Sequence, residues 1–175
     1  MSTASISRRL SRWVAGLAYS DIPPEVLDRA RGVTLQGLSS CLLGHGFPET
    51  MQAIRLVEEE ELGCGGTTTA FVDGRRFSRA GAAFINSEMM FAGGKWDTFR
   101  MVVHPSCAIL PAALVAAEAT HCSGREFLTA VAAGYEVTER LAADFVPTIM
   151  ARGFHAGPVF SIFGAAVALD AGIPG

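Results

Sequence analysis

Residues 104–118 read His104-Pro-Ser-Cys-Ala-Ile-Leu-Pro-Ala-Ala-Leu-Val-Ala-Ala-Glu118, and no charged residue lies between the two ends. A segment of this kind predicts a buried helix, and its alanines let neighbouring backbones approach closely. It is too short to span a bilayer, because a membrane helix needs about 20 apolar residues. We therefore expect this stretch to form the core of a helical protein.

Helical signals recur on both sides of this stretch. Ser123-Gly-Arg-Glu126 is a capping box, in which each side chain binds a backbone N–H of the other residue. Apolar residues recur at helical spacing, and Pro23-Pro24 and Pro48 are typical of first helical turns. The expected helices cover residues 6–17, 24–44, 48–61, 78–91, 106–120, 124–145 and 157–169.

One passage has the pattern of strands instead. Thr67-Thr-Thr-Ala-Phe-Val72 and Arg75-Arg-Phe-Ser78 flank Asp73-Gly74, a pair typical of a two-residue hairpin turn. In the helix that follows, we expect Ala80, Phe84, Ile85 and Met89 to face the core. The expected fold class is therefore all-α with one small β-hairpin, as a single helical domain over residues 1–175.

The composition narrows the class of protein. Half of the residues are hydrophobic and 18% are charged, below the roughly 25% that is usual in soluble domains. We expect part of this apolar excess to cover a partner surface. The net charge of −3 and the absence of a basic stripe argue against nucleic-acid binding. No segment predicts a membrane span, and we expect a cytoplasmic protein.

The cysteines offer little chemistry by their spacing. Cys41, Cys64, Cys107 and Cys122 include no Cys-x-x-Cys pair and no metal-ligand spacing with histidine, so we expect buried thiols and no metal. Cys107 follows His104 by three residues, which leaves a nucleophilic role as an alternative.

Two histidines stand just before apolar helices. His104 precedes the segment quoted first, and His155 ends Arg152-Gly-Phe-His155. Imidazole titrates near neutral pH, and a helix N-terminus attracts anions, so proton transfer or substrate binding is expected here. A structural hydrogen bond is the alternative for each. Lys95, Asp97 and Thr98 crowd the loop before His104.

Four ordered blocks of the sequence resemble the MmgE/PrpD family. They cover residues 16–30, 104–118, 123–137 and 152–155, and include His104-Pro-Ser and Arg152-Gly-Phe-His155. The resemblance implies an all-helical domain, to which complete members add a smaller α/β domain further along a longer chain. It also implies elimination, decarboxylation or isomerisation of small polycarboxylates without a metal or an organic cofactor.

The resemblance implies site residues as well. The histidines of the two blocks line the family's active site, so His104 and His155 are the expected catalytic residues. The last two positions of the family's Asp-Phe-Asp-Asp-Thr motif fall on Asp97 and Thr98, which are expected to bind substrate. Lys95 and Arg152 are expected to neutralise an anionic group of that substrate, and no metal ligand is expected.

The chain departs from that motif at its start. Gly94 stands where the family has its first Asp, and the next two residues are Lys95 and Trp96. A carboxylate is thereby lost and a cation gained. The family's catalytic lysines and its α/β lid domain lie beyond position 175, so we expect a second MmgE/PrpD-like chain to supply them.

These expectations define a subunit of a two-chain lyase that acts on a small anionic substrate. Elimination with ring closure, such as aziridine formation in a biosynthetic pathway, agrees with the altered charge of the motif. One alternative is a non-catalytic scaffold that stabilises a catalytic partner. Another is a dehydratase or decarboxylase of a methylcitrate- or aconitate-like acid.

Overall fold

The computed structural model describes residues 5–62 and 66–171, so Cys64 lies outside the described residues. Within those ranges the chain forms eight α-helices and one antiparallel pair of short strands. The elements are α1 Ile6–Gly16, α2 Pro24–Gly44, α3 Pro48–Glu60, β1 Thr68–Thr69, β2 Arg76–Phe77, α4 Arg79–Ala92, α5 Ser106–Thr120, α6 Gly124–Ala142, α7 Val146–Ala151 and α8 Ala156–Ala171. The expected all-α class is confirmed.

Helix α5 lies at the centre of the helical body. It packs against α2, α4, α6, α8 and strand β1. Its Ile109 and Leu110 are fully buried and share one core cluster with Ile85 and Met89 of α4 and Val131 of α6. No helix of the described residues is long and apolar enough to cross a membrane.

A proline inside α5 links this helix to α4. Pro111 has no N–H, so the Cys107 carbonyl four residues earlier loses its usual helical partner. The Ser87 hydroxyl of α4 donates to that carbonyl at 2.6 Å. The Cys107 carbonyl therefore finds its hydrogen-bond donor across the interface between α4 and α5.

Helices α6 and α8 approach each other through glycines. A Cβ on Gly164 would lie 2.0 Å from Thr138 Oγ1 and 2.4 Å from the Gly134 carbonyl oxygen. Real side-chain atoms do not approach this closely, so Gly164 sets the distance between the two helices.

Replacing Gly164 with alanine is expected to lower the free energy of unfolding by about 3 kcal/mol, because the methyl group must push α8 away from α6. Gly32→Ala in α2 is the matched control, since its Cβ meets nothing within 4 Å. There we expect a gain of about 0.5–1 kcal/mol from helix propensity. Urea unfolding measures both changes, and a Gly164→Ala protein as stable as the wild type would contradict the tight contact.

The β-hairpin is confirmed, but its predicted two-residue turn is wrong. Thr68 pairs with Phe77, and the Ala70 N–H donates to the Arg75 carbonyl, so residues 71–74 form a wider loop. Val72 has a φ of +64°, and this left-handed conformation ends the strand before Asp73 is reached.

The inward face of α4 also differs from the expectation. Ile85 and Met89 are buried as predicted, whereas Ala80 and Phe84 are exposed. Gly81 lies against α3, where a Cβ would come within 2.6 Å of a Val57 methyl carbon. This close approach turns the Gly81 side of α4 inward.

Candidate active site

His104 and His155 line the same cavity, which has a volume of about 330 Å³. Their ring centroids are 6.3 Å apart. His104 lies just before α5 and His155 directly before α8, so the packing of α5 against α8 brings the two helix starts together. Residues about fifty positions apart in sequence therefore share one site.

The Asp97 carboxylate holds the start of α5. Its Oδ1 accepts hydrogen bonds from the Ser106 N–H at 3.1 Å and from the Ser106 hydroxyl. Its Oδ2 accepts from the Tyr135 hydroxyl at 2.6 Å. Burial, together with the negative charge of Asp97, raises the pKa of Tyr135 far above its usual value, which keeps the phenol a donor. Donors of the protein itself thus occupy this carboxylate.

The main chain of Asp97 fixes the tautomer of His104. The Nδ1 atom lies 2.8 Å from the Asp97 carbonyl oxygen and 3.3 Å from Thr98 Oγ1. A carbonyl oxygen can only accept, so Nδ1 bears the hydrogen. In the neutral ring Nε2 has a free lone pair and can take up a proton. Protonation there breaks no hydrogen bond, because Nδ1 continues to donate to the carbonyl.

The start of α8 fixes the opposite tautomer in His155. The Gly157 N–H donates to His155 Nδ1 at 3.2 Å, so Nδ1 has the lone pair and Nε2 has the hydrogen in the neutral ring. Protonation of Nδ1 would place two donors face to face. A Cβ on Gly157 would lie 3.1 Å from both Cε1 and Nδ1 of the ring. The absence of a side chain at Gly157 therefore leaves room for the imidazole in this position.

Two aromatic residues support His104. Trp96 stacks on Phe91 with centroids 4.9 Å apart, and its ring lies 4.8 Å from that of His104. The indole N–H donates to the Phe91 carbonyl at 2.8 Å, which fixes the stack. The stacked pair therefore packs against the His104 ring.

The other predicted site residues do not all join this cavity. Asp97 and Thr98 line a second cavity of about 400 Å³ between α2 and α6. Lys95 is exposed, and its backbone N–H donates to Ser40 Oγ at 3.0 Å. Arg152 is exposed at the end of α7. The structure brings His104, His155 and the Thr98 hydroxyl together, and the substrate-binding roles of Lys95, Asp97, Thr98 and Arg152 stay predictions.

The structure adds residues that the sequence did not reveal. Ser87, Phe91, Gly157 and Ile162 line the cavity of the two histidines. Gly157 lies two residues after His155, which is a local signal, but the others come from separate segments. Within residues 5–62 and 66–171, no group of three or more His, Cys, Asp or Glu side chains could hold a metal ion.

Cys107 also lines the cavity, but its thiol is not activated. Burial raises its pKa to about 12, and its Sγ lies 4.0 Å from Ser106 Oγ rather than against a base. At neutral pH the thiol stays protonated, and the protonated form is a poor nucleophile.

Alkylation of Cys107 by iodoacetamide is expected to be slow at about pH 8, where a thiol of this pKa is only about one ten-thousandth ionised. Its rate should keep rising with pH above about pH 10, because the folded thiol ionises only there. Cys122, which is partly exposed, is the internal comparison and should react at least tenfold faster. Mass spectrometry of the labelled peptides gives both rates, and a plateau for Cys107 near pH 9 would contradict the burial argument.

The all-α fold and the two histidines at the starts of packed helices agree with the resemblance to the MmgE/PrpD family seen in the sequence. The model of the MmgE/PrpD N-terminal domain matches residues 8–170, and the chain belongs to the MmgE/PrpD family. The family resemblance seen in the sequence is thereby confirmed.

Two fungal relatives illustrate this membership. The cis-aconitate decarboxylase-like protein oryM of Aspergillus oryzae (strain ATCC 42149 / RIB 40) is 31% identical over 173 residues, which cover 94% of this chain and 36% of the relative. The cis-aconitate decarboxylase of Aspergillus terreus is 24% identical over 164 residues, which cover 90% of this chain and 33% of the relative. The chain thus spans about a third of the length of these curated relatives. No solved structure matches it significantly.

Proposed function

We propose that this chain contributes the two-histidine part of a lyase that eliminates or decarboxylates a small anionic substrate. The observation that supports this most directly is the pair of opposite tautomers on one cavity. Decarboxylase relatives support the type of reaction. The acid named for those relatives, cis-aconitate, is the first substrate to test.

In this proposal His104 is the proton carrier. During an elimination its Nε2 takes the proton from carbon, the C–H electron pair becomes the new double bond, and the leaving group departs with its own pair. During a decarboxylation carbon dioxide leaves, its bonding pair stays on the substrate, and protonated His104 returns a proton to carbon. General acid–base catalysis by a placed imidazole contributes typically 10²–10⁴-fold to the rate.

In this proposal His155 acts as a hydrogen-bond donor. In both reactions negative charge moves onto an oxygen of the substrate, and Nε2–H of His155 donates to that oxygen. The Gly157 N–H donates to Nδ1, which leaves Nε2–H as the donor of the ring toward the substrate. A fixed donor aimed at developing charge stabilises the transition state more than the ground state.

The proposed enzyme includes a further polypeptide of the same family. Ile162, which lines the cavity, is 59% exposed. The sequence neighbours of His155 and Ile162, Phe154 and Phe163, are 62% and 48% exposed. Exposed apolar area of this kind marks surfaces that bind protein or ligand. The further polypeptide would supply the lysines and the lid domain expected from the family. Ring-closing elimination, as in aziridine formation, would use the same base and stays a prediction.

The fate of carbon-bound hydrogen in D₂O is expected to separate the two reactions. Elimination removes a proton from carbon, so its product gains no carbon-bound deuterium, whereas decarboxylation returns a proton to carbon, so its product gains one. Turnover of a hydroxylated tricarboxylate and of cis-aconitate in D₂O, followed by NMR, measures both. Loss of His104 that left deuterium incorporation and turnover unchanged would contradict proton transfer by this residue.

A further inference from the structure

One buried serine of α8 has a hydroxyl without a hydrogen-bond partner. Ser161 is 5% exposed, and its Oγ atom has no donor or acceptor beside it in the part of the chain that the structure describes. Most buried polar atoms of native proteins are hydrogen-bonded, because an unpaired buried hydroxyl destabilises the fold. An exception of this kind indicates a partner that these residues themselves do not supply.

A local partner exists for the Ser161 hydroxyl, but the hydroxyl does not use it. Serine and threonine side chains in helices can donate to the carbonyl oxygen four residues earlier. Within the described residues, hydroxyls that form this bond at 2.7–3.0 Å are those of Ser11, Thr34, Ser39, Thr120 and Thr129. For Ser161 the corresponding carbonyl belongs to Gly157, and the hydroxyl does not donate to it. The Ser161 donor therefore stays available.

Ser161 lines the cavity of His104 and His155. Ser87 also lines this cavity, but its hydroxyl already donates to the Cys107 carbonyl at 2.6 Å. The hydroxyl hydrogen of a serine turns about a single bond, so an acceptor atom inside the cavity can take it up. Among the lining residues, Ser161 thus offers a hydroxyl donor that no described group of the protein occupies.

On the basis of the proposed function, we propose that Ser161 is a further substrate-binding residue of this site. Its hydroxyl donates to a carboxylate oxygen that takes no part in the reaction, while His104 and His155 meet the reacting end of the substrate. A hydrogen bond to a carboxylate is stronger than one between neutral groups. It also satisfies a donor that has no partner in the described residues, so the ligand removes a defect of the fold as it binds.

Ser161→Ala is expected to stabilise the ligand-free chain, because it removes the unpaired hydroxyl. We expect the midpoint of urea unfolding to rise by about 0.5 M or more. Ser39→Ala in α2 is the matched control, since it is the same substitution inside a helix and the Ser39 hydroxyl already donates to the Leu35 carbonyl at 2.8 Å. Both variants gain helix propensity, so the control should show a rise less than half as large.

The same substitution is expected to weaken ligand binding. Cis-aconitate is the probe, and the ring signals of His104 and His155 in NMR spectra of the full chain report its binding. We expect Ser161→Ala to bind cis-aconitate about tenfold more weakly than the wild type, as one hydrogen bond to a charged group is lost. Ser39→Ala should bind it as the wild type does, since Ser39 does not line the cavity. A residue with a purely structural role would not change stability and affinity in opposite directions.

A urea midpoint of Ser161→Ala no higher than that of Ser39→Ala would overturn the proposal, because it would show that the protein itself satisfies the hydroxyl. Unchanged affinity for cis-aconitate would overturn it too and would indicate that water is the partner. Absence of cis-aconitate binding by the wild-type chain would have the same consequence. The proposed function fails by a different result, namely turnover that survives the loss of the His104 imidazole, so the two failures are distinguishable.

Discussion

His104→Asn is expected to lower turnover of the proposed enzyme by about a thousandfold while the fold stays intact. The asparagine amide can still donate to the Asp97 carbonyl, as Nδ1 does in the native ring at 2.8 Å. What is lost is the proton acceptor Nε2. Steady-state kinetics, with far-UV circular dichroism as the check on folding, measure this loss.

His155 is expected to respond differently, because its proposed role is to donate a hydrogen bond. His155→Gln keeps an N–H near the position of Nε2 and should lose about tenfold in turnover, whereas His155→Ala should lose about a hundredfold. Equal losses in the two variants would contradict the donor role. Unchanged turnover in both His104→Asn and His155→Ala would leave the non-catalytic scaffold as the function of this chain.

Asp97→Ala is expected to lower the free energy of unfolding by about 3 kcal/mol, because three donors lose their acceptor at once. Those donors are the Ser106 N–H and hydroxyl and the buried Tyr135 hydroxyl. Urea unfolding measures the loss. The same substitution should shift the His104 ring signals in NMR spectra. The hydrogen bonds of the Asp97 carboxylate hold the loop in place, and the main-chain carbonyl of that loop binds the His104 ring.

Tyr135→Phe is the graded control for this prediction. It removes one of the three hydrogen bonds to the Asp97 carboxylate and leaves the two from Ser106 intact. We therefore expect the free energy of unfolding to fall by about 1 kcal/mol. If Asp97→Ala were no more destabilising than Tyr135→Phe, the carboxylate would not be holding the start of α5.

Much of the fold could be predicted because its signals are local. The capping box at Ser123 and the prolines at positions 24 and 48 mark helix starts through contacts within one turn, and all three helices begin there. The short helix Val146–Ala151 was not predicted, and the helix expected to reach residue 145 ends at Ala142. The hairpin turn was misjudged because Val72 adopts a conformation unusual for a β-branched residue.

The site could be predicted only in part, for a related reason. The positions of His104 and His155 before apolar helices are visible in the sequence, and the fold brings them to one cavity. The hydrogen bond between Tyr135 and Asp97 joins residues 38 positions apart, and no local sequence pattern predicts it. The tautomers depend on single backbone groups at those helix starts, which become known only with the fold.

The opposite tautomers of the two histidines give the pair a direction. In the neutral rings Nε2 of His104 has a lone pair and Nε2 of His155 has a hydrogen, and the ring centroids are 6.3 Å apart. A ligand that bridges both Nε2 atoms must offer a donor to His104 and an acceptor to His155, so an unsymmetrical ligand fits in one sense and not in the reverse. This polarity originates in the two backbone groups, a loop carbonyl and a helix N–H, that the imidazoles contact.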